Sequence, residues 1–508
     1  MTRRRFLDWR VAAFDAAAFF IPLIVYGFSI SRWPFSWDYG EMQTVPYMLG
    51  IPHPTGFPLF VLLGWLFSHA VPVATPAWRM NFLCSLFMAG SALALRRLAL
   101  ALGSTQWCSL AASFAFAFTE IAWLKAVHAD VHTLALLLSL FVFLAAVDFA
   151  KTRNLRSLLF GAAAYGCGLA THPNVLWSGL ALVYGFWIVA RRDARTAALV
   201  VAAALAPLLL YAYLPIRSAV VEASHVDPAA NAPFLWHGEL VWDSNRPSTL
   251  EGFTAVVSGS QFSAADSLDS IFDVALYPVY VTQWFAAASK ELLGLTIVFA
   301  AASAIVLVRR AATREAALCV LAGGFAAVPF AYSYGPEMDV ARYLLPSLAV
   351  TAAFAAAASG LAKTRFPALG FFVTLAMAGI AASLYEANTN RYGSRNDTGG
   401  QATIDGVRTY VPDGAVVVAH WEEATALAYG SYVDQSLGRR IVLLWGSDDA
   451  KLYPGWTSQY RVFVLSNFAI KDQLEQSVLK PCLRLMRSPD LGDKQLYEIR
   501  CPPGWKSP

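Results

Sequence analysis

Charged side chains are scarce in this sequence. Only 14% of its 508 residues are Asp, Glu, Lys or Arg, whereas 57% are hydrophobic, and the mean hydropathy is +0.49. A chain of this size with so little charge cannot cover a soluble globule with polar side chains. The composition therefore excludes a purely soluble fold and predicts a polytopic membrane protein.

The sequence also has little net charge and little cysteine. The formal net charge is only +4, and the arginines lie at the ends of apolar runs instead of forming one basic face, so nucleic acid is not expected as a partner. Arginines precede the first apolar run, but no small-residue cleavage site follows it, which predicts a retained helix and not a cleaved signal peptide. Four of the six cysteines lie in apolar runs and are expected to be small core residues: Cys84, Cys108, Cys167 and Cys319.

Apolar runs long enough to cross a bilayer recur over most of the chain. They predict a mainly α-helical membrane bundle with about eleven spans, near residues 11–31, 80–100, 106–122, 132–150, 157–171, 175–190, 196–215, 289–308, 316–333, 343–361 and 366–385. A shorter segment near 57–71 predicts a re-entrant or interfacial helix, because it is too short to span comfortably.

Positive charges orient these spans. With a cytoplasmic N-terminus, alternate connections return to the cytoplasm at basic clusters. These clusters are Arg96 and Arg97; Lys151, Arg153 and Arg156; Arg191, Arg192 and Arg195; Arg309, Arg310 and Arg314; Lys363 and Arg365. We therefore predict a multi-pass protein of a bacterial inner or plasma membrane, with the unusual polar loops and the C-terminal part on the outer face.

The last part of the chain has a different pattern. Beyond residue 389 the apolar runs shorten to strand length and alternate with helical segments. This change predicts a membrane domain over residues 1–389 and a small extracytoplasmic α/β domain over residues 390–508. The last two strands flank the turn sequence PDLGDK, and a hairpin there would bring Cys482 opposite Cys501. In an oxidising compartment a disulfide between them is favoured over the alternative of two unpaired thiols.

Two carboxylates and a histidine follow the first span, in the segment SWDYGEMQTVPYMLGIPHPTGFPLF at residues 36–60. Asp38 and Glu41 are three residues apart and would share one face of a short helix. Their aromatic and apolar neighbours raise a carboxylate pKa and suit a general base, or a charge held for a cation or a hydroxyl. His53 lies between prolines on a stiff, non-helical path. The alternatives are carboxylates that cap or solubilise a loop helix and an imidazole that satisfies a loop carbonyl.

Further polar residues recur on the predicted outer face, at His128, Asp130, His132 and His172. His128 and His132 are four residues apart and on a helix could bind a metal, but only two ligands match. A polar pocket for a phosphate or a sugar hydroxyl explains these residues as well and is favoured. We therefore predict no metal cofactor, while an assisting divalent cation stays open.

Cations on this face are few, namely Lys125, Arg217 and Arg342. Each lies near the end of a span, where the ordinary role of a cation is to reach lipid headgroups. Guanidinium groups are also the natural partners of phosphate, because their planar fork binds it in a bidentate manner. Asp339 is close enough in sequence to Arg342 for a local ion pair.

These segments resemble the protein O-mannosyltransferase-like family of GT-C type membrane glycosyltransferases, whose animal members O-mannosylate extracellular domains of plexin and related receptors. The most specific stretch is DYGEM at 38–42 followed by LGIPHPTGFPLFVLLGWLF at 49–67. Supporting stretches follow in the family's order: WLKAVHADVHTLALLL (123–138), GLATH (168–172), YLPIRSA (213–219), PSTLEGFTAVVSGSQF (247–262) and VARYLLPS (340–347). The chain departs from the family at Asp130-Val131-His132, where Glu-Val-Tyr is usual, and in an expanded loop at 220–246.

The resemblance implies a polyprenyl-phosphate sugar donor used on the outer face, and an inverting transfer to a hydroxyl of a protein, glycan or lipid, without a nucleotide sugar. It implies that Asp38 is the catalytic base and that Glu41 and His53 shape the site. The residues implied for the donor are Arg217 and Arg342 on the lipid phosphate, and Asp130 and His172 along the donor pocket.

Two other classes of protein fit an outward-facing polar site on a helix bundle. One is a transporter or lipid flippase, and the other is a non-catalytic envelope scaffold that uses the C-terminal domain for binding. A transporter places ionisable residues in mid-span, where they are costly and functional. The predicted spans are almost free of charge, so an enzyme at the outer interface is favoured.

Overall fold

The computed structural model describes residues 9–224, 242–260, 270–333, 339–363, 366–392, 397–446, 448–503 and 505. Most of the loop predicted at 220–246 lies outside these residues. The chain forms two compact units, each assembled from three separate parts of the sequence. The first unit draws on Met1–Ile30, Phe82–Tyr211 and Gln261–Ser394, and the second on Ser31–Asn81, Ala212–Ser260 and Arg395–Pro508.

Helices make up most of the described chain. The α-helices are Trp9–Ser29, Trp37–Met48, Pro58–Ala70, Pro76–Ala101, Gln106–Ala117, Glu120–Ala126, His132–Thr152, Leu155–Leu169, Leu180–Ala190, Ala194–Leu205, Tyr213–Ser224, Leu250–Ser258, Tyr277–Arg309, Ala311–Phe325, Ala327–Ser333, Leu345–Lys363, Pro367–Thr389, Gly399–Tyr410, Trp421–Ala428, Tyr453–Trp456 and Phe468–Gln476. Short 3₁₀ helices are Pro173–Gly179, Ala206–Ala212, Val274–Leu276, Val340–Leu344, Asp448–Lys451, Lys480–Cys482 and Pro489–Leu491, and Tyr429–Val433 is a π-helical turn.

Nine helical stretches among the described residues are long and apolar enough to cross a membrane. A tenth is added if the bent pair Gln106–Ala117 and Glu120–Ala126 counts as one span. The one predicted span that remains, 157–171, corresponds to the helix Leu155–Leu169, which has only 15 residues. At about 1.5 Å per residue this helix reaches about 23 Å, less than the hydrocarbon core of about 30 Å. The segment predicted near 57–71 is the 13-residue helix Pro58–Ala70.

Small residues allow close approach within the first unit. A Cβ on Gly360 would lie 1.7 Å from the carbonyl oxygen of Gly103, and a Cβ on Gly166 would lie 2.1 Å from that of Ala204. Backbones can approach so closely only where one partner has no side chain, which is the usual arrangement between membrane helices. These contacts allow segments of the first unit to pack closely.

A five-stranded sheet forms the core of the second unit. Its strands are β1 (Val416–Ala419), β2 (Ile441–Leu444), β3 (Val462–Ser466), β4 (Leu483–Leu485) and β5 (Gln495–Ile499), in the spatial order β2-β1-β3-β5-β4. Strand β1 pairs in parallel with β2 and β3, whereas β5 pairs antiparallel with β3 and β4. Parallel central strands need cover on both faces, and their continuous apolar sequences agree with that.

The two faces of the sheet have different partners within the second unit. Val416 and Val418 belong to a buried cluster with Val45 and Trp242. On the other face, Val417 and Ala419 pack in a cluster with helix residues such as Ile404. Because successive side chains of a strand point to opposite faces, this split follows from the strand geometry. Segments from all three parts of the second unit therefore build one core.

The C-terminal hairpin and its disulfide are as predicted. Leu483 of β4 pairs with Ile499 of β5, and Cys482 is bonded to Cys501. The cysteines in the apolar runs are free thiols, three of them buried and Cys167 half-buried, in agreement with their expected role as small core residues.

Candidate functional site

A short helix in the second unit carries both predicted carboxylates. Asp38 lies in the first turn of Trp37–Met48, where a carboxylate is favoured by the helix dipole, and Glu41 lies one turn later. Asp38 is half-buried, whereas the Glu41 side chain is fully buried. The prediction that the two share one short helix is confirmed.

The buried carboxylate of Glu41 holds His53. Its Oε1 accepts a hydrogen bond of 2.7 Å from the backbone N–H of His53, and its Oε2 lies 2.5 Å from His53 Nδ1. Burial raises the pKa of Glu41, and the neighbouring His53 opposes that rise. The imidazole therefore has a carboxylate partner, and the proline-rich loop is anchored to the helix that bears Asp38.

The Asp38 carboxylate meets an indole from the start of the helix Trp421–Ala428. Trp421 Nε1–H donates a 3.0 Å hydrogen bond to Asp38 Oδ1. The same indole lies edge to face with His53, with ring centroids 5.8 Å apart and planes at 86°. Phe57 contacts the imidazole in a similar way at 5.1 Å. Three segments of the second unit thus meet at Asp38, and sequence reasoning missed Trp421.

Arg217 lies at the other end of the carboxylate-bearing helix. Its Nε donates a hydrogen bond of 2.7 Å to the carbonyl oxygen of Leu49, and its Nη2 donates one of 3.1 Å to the carbonyl oxygen of Met48. A cation bound to the last carbonyls of a helix completes that helix terminus and interacts favourably with its dipole. The structure therefore gives Arg217 a structural role, and a role on the lipid phosphate stays a prediction.

A second group of polar residues lies in the first unit, around Asp130. Its Oδ2 is 3.1 Å from Lys125 Nζ, and its Oδ1 is 2.8 Å from His132 Nδ1. Lys125 also contacts Asp339, at 2.5 Å, so Asp339 pairs with the lysine. Burial alone raises the pKa of Asp130, but Lys125, His132 and Arg342 hold it well below its ordinary value. Asp130 is therefore an ionised acceptor, which leaves His132 Nδ1 as the donor in their bond.

Aromatic rings and neutral polar groups complete this group. The rings of His132 and His172 are 4.2 Å apart, and both contact Tyr343. His132 and Arg342 line a small cavity together with Asn174. Within the described residues, His132 Nε2 and the buried Asn174 Oδ1 have no hydrogen-bond partner. Two acceptors that lack a donor indicate a place for a hydroxyl group or a water molecule. The structure thus brings Asp130, His172 and Arg342 together.

The histidine pair weighed as a metal site is not on one helix. The helix Glu120–Ala126 ends before His128, and the next helix begins only at His132. His128 Nδ1 bonds to the carbonyl oxygen of Leu124, 2.7 Å away, while His132 Nδ1 bonds to Asp130. The helical spacing assumed from the sequence is therefore wrong here.

Another group with metal-ligand chemistry lies beside Trp421. His420, Glu422 and Glu423 place their ligand atoms within 4.8 Å of one another. Their common neighbour is the side-chain amide of Asn467, whose Nδ2 is 3.3 Å from His420 Nδ1, 3.1 Å from Glu422 Oε2 and 2.9 Å from Glu423 Oε2. Burial and the neighbouring Glu422 raise the pKa of Glu423 to about 7.

Solved structures with the same fold support the predicted architecture. The crystal structure of ArnT from Cupriavidus metallidurans bound to undecaprenyl phosphate has a TM-score of 0.56 at 12% identity, over 97% of this chain and 98% of that one. The Archaeoglobus fulgidus oligosaccharyltransferase in complex with Zn and sulfate has a TM-score of 0.54 at 12% identity, over 91% of this chain and 70% of its own. At such identity the likeness concerns the fold alone. The likeness in fold and the membrane-length helices among the described residues confirm the predicted multi-pass membrane helix bundle.

The sequence around the carboxylates is similar to that of one protein family. Residues 38–197 match the family described as Protein O-mannosyl-transferase TMEM260 N-terminal domain. Protein O-mannosyl-transferase TMEM260 of Mus musculus is 30% identical over 228 residues, 42% of this chain and 32% of the mouse protein. Its Dictyostelium discoideum namesake is 23% identical over 168 residues, 30% of this chain and 20% of its own length. The matches span a third or less of the length of these relatives. They confirm the predicted resemblance to the protein O-mannosyltransferase-like family.

Proposed function

We propose that this chain is a membrane glycosyltransferase that moves a sugar, mannose by the names of its relatives, from a polyprenyl-phosphate donor to an acceptor hydroxyl. The proposal places the reaction on the outer face of the membrane, with the N-terminus in the cytoplasm. The acceptor is a hydroxyl of a protein, a glycan or a lipid. The relatives' names support the reaction class, and ArnT bound to undecaprenyl phosphate supports a lipid-linked donor.

One observation carries the proposal. Asp38 is a half-buried carboxylate that accepts a hydrogen bond from a neutral N–H donor, one helical turn from the buried Glu41 and its partner His53. It lies at the start of the segment that matches the O-mannosyl-transferase family. A carboxylate that is oriented by such a donor, in aromatic surroundings, is suited to accept a proton.

The proposed step is a direct displacement at the anomeric carbon of the donor sugar. Asp38 removes the proton of the acceptor hydroxyl while the hydroxyl oxygen attacks the anomeric carbon of the donor sugar. The bond from that carbon to the phosphate oxygen breaks, and the polyprenyl phosphate leaves with the electron pair. Attack opposite the leaving group inverts the anomeric configuration. The proton stays on Asp38 until it exchanges with water.

The first unit supplies the groups that suit a donor. Arg342 offers a guanidinium for a phosphate, and Asp130 and His172 line the same polar group. His132 Nε2 and Asn174 Oδ1 would each accept a hydrogen bond from a sugar hydroxyl. The usual Glu-Val-Tyr of the family is Asp130-Val131-His132 here, so the contacts to the sugar would differ.

The experiment that tests the function supplies membranes containing the full chain with polyprenyl-phosphate mannose, and, in parallel, with a nucleotide-linked mannose. We expect transfer only from the lipid donor and a product of inverted anomeric configuration, determined by NMR or by configuration-specific mannosidases. Absence of transfer from any polyprenyl-phosphate sugar would contradict the proposal and favour the transporter or scaffold.

A further inference from the structure

We infer that Trp421 is a positioning residue for Asp38, so that the C-terminal α/β part of the chain completes the catalytic centre. The inference rests on the proposed function, because it gives Asp38 the role of base. Both residues belong to the second unit, although 383 positions separate them.

The hydrogen bond from Trp421 selects one oxygen of the carboxylate. Its Nε1–H donates to Oδ1 at 3.0 Å, a normal length for an N–H···O bond. An indole has one donor and no acceptor, so the bond can be made only in this direction. This bond engages Oδ1 and restrains the orientation of the carboxylate.

The indole itself is held from two sides. On one side His53 stands edge to face against it, and Glu41 fixes His53 through both carboxylate oxygens. On the other side Trp421 begins a helix whose N-cap, His420, accepts from the backbone N–H of Glu422. His420 in turn packs edge to face on Trp37, the residue before Asp38. A side chain fixed in this way can set the orientation of its partner at little entropic cost.

A donor to a carboxylate also stabilises its ionised form, which makes the arrangement testable by pH. Loss of the indole N–H would make Asp38 harder to ionise, and the acid limb of the pH–rate profile would move to higher pH. Neither substitution in the test changes the other titratable or charged groups on this helix and on the elements packed against it: Glu41, Tyr39, Tyr47, His53, His69, Arg217, His420, Glu422, Glu423, Tyr429 and Tyr432.

The test compares Trp421→Phe with Trp445→Phe in the full chain. Trp445 is the matched control, because its Nε1–H donates to Gln473 Oε1 at the same 3.0 Å, away from Asp38. We expect W421F to lower kcat on the order of tenfold and to move the acid limb to higher pH, with W445F unchanged in both. Equal profiles for W421F and W445F would overturn the inference.

A second measurement needs no enzyme activity. The melting temperatures of the wild type, W421F, Asp38→Ala and the double variant form a thermodynamic cycle. We expect the double variant to lose less than the sum of the single losses, because both changes remove one bond. Additive losses would overturn the inference even in a protein that transfers no sugar, whereas an inactive wild type with a coupled cycle would contradict only the proposed function.

Discussion

At the scale of the residue, the sequence predicts local relations and misses distant ones. The spacing of Asp38 and Glu41 is a property of one helical turn, so their shared face is predictable. The hydrogen bonds that Glu41 accepts from His53 depend on the path of a loop. The proline content predicts that this loop is stiff but not where it leads. Trp421 is 383 positions from Asp38, so their contact depends on how the intervening chain folds. The local sequence HWEE at 420–423 does not predict that contact.

A single buried carboxyl also makes stability depend on pH. Glu423 is fully buried, and its pKa is raised from 4.5 to about 7. The folded chain therefore holds this proton at a pH at which the unfolded chain has lost it. Stability from this group is constant below about pH 4.5, falls as the pH rises toward 7, and is constant again above that, with a total loss of at most about 3 kcal/mol.

We predict that Glu423→Gln removes this pH dependence. Gln is neutral and keeps the shape of the side chain, so E423Q should match the wild type at pH 5 and melt a few degrees higher at pH 8. Thermal melts of the full chain at the two pH values measure the difference. Glu475→Gln, an exposed carboxylate in the same unit, is the control and should shift neither value. An E423Q variant that loses stability with pH as the wild type does would show that Glu423 ionises normally.

At the scale of the element, patterns with a clear period are predicted well. The strands β1 to β5 and the closing hairpin follow from short apolar runs and the PDLGDK turn. Residues 128–132 are the contrary case, because a helical period continues through them although the chain turns there. The turn brings Asp130 into an ion pair with Lys125 and a hydrogen bond with His132.

The disulfide clamps this last hairpin. Cys482 and Cys501 are 19 residues apart, and closing a loop of that length stabilises a fold by about 3 kcal/mol. We predict that the double variant Cys482→Ser, Cys501→Ser melts at a lower temperature than the wild type, and that a reducing agent shifts the wild type toward it. The control Cys167→Ser removes a half-buried free thiol. Its melting temperature should shift on reduction by the same amount as that of the wild type. Melting unaffected by both the double substitution and reduction would contradict a stabilising bond.

At the scale of the whole molecule, composition distinguishes membrane helices from a C-terminal α/β segment, but it cannot show how separate segments combine. The second unit takes in residues 31–81 and 212–260 together with the C-terminal part. Val45, Val221 and Trp242 pack in the same buried cluster as the strand residues Val416 and Val418. This packing joins residues that are hundreds of positions apart, so composition does not predict it. The residues proposed for the base therefore belong to the same compact unit as the C-terminal sheet.

The central claim is that Asp38 is the base of a lipid-dependent sugar transfer, and one measurement tests it most directly. Transfer from polyprenyl-phosphate mannose is compared in membranes that contain equal amounts of the wild type, Asp38→Asn and Asp405→Asn. Asp405 is a half-exposed helix carboxylate paired with Arg408, so D405N controls for loss of one charge in the same unit. We predict that D38N lowers kcat by at least about a hundredfold, as expected for loss of a general base, while D405N stays at the wild-type rate. A D38N rate equal to that of the wild type would contradict the account.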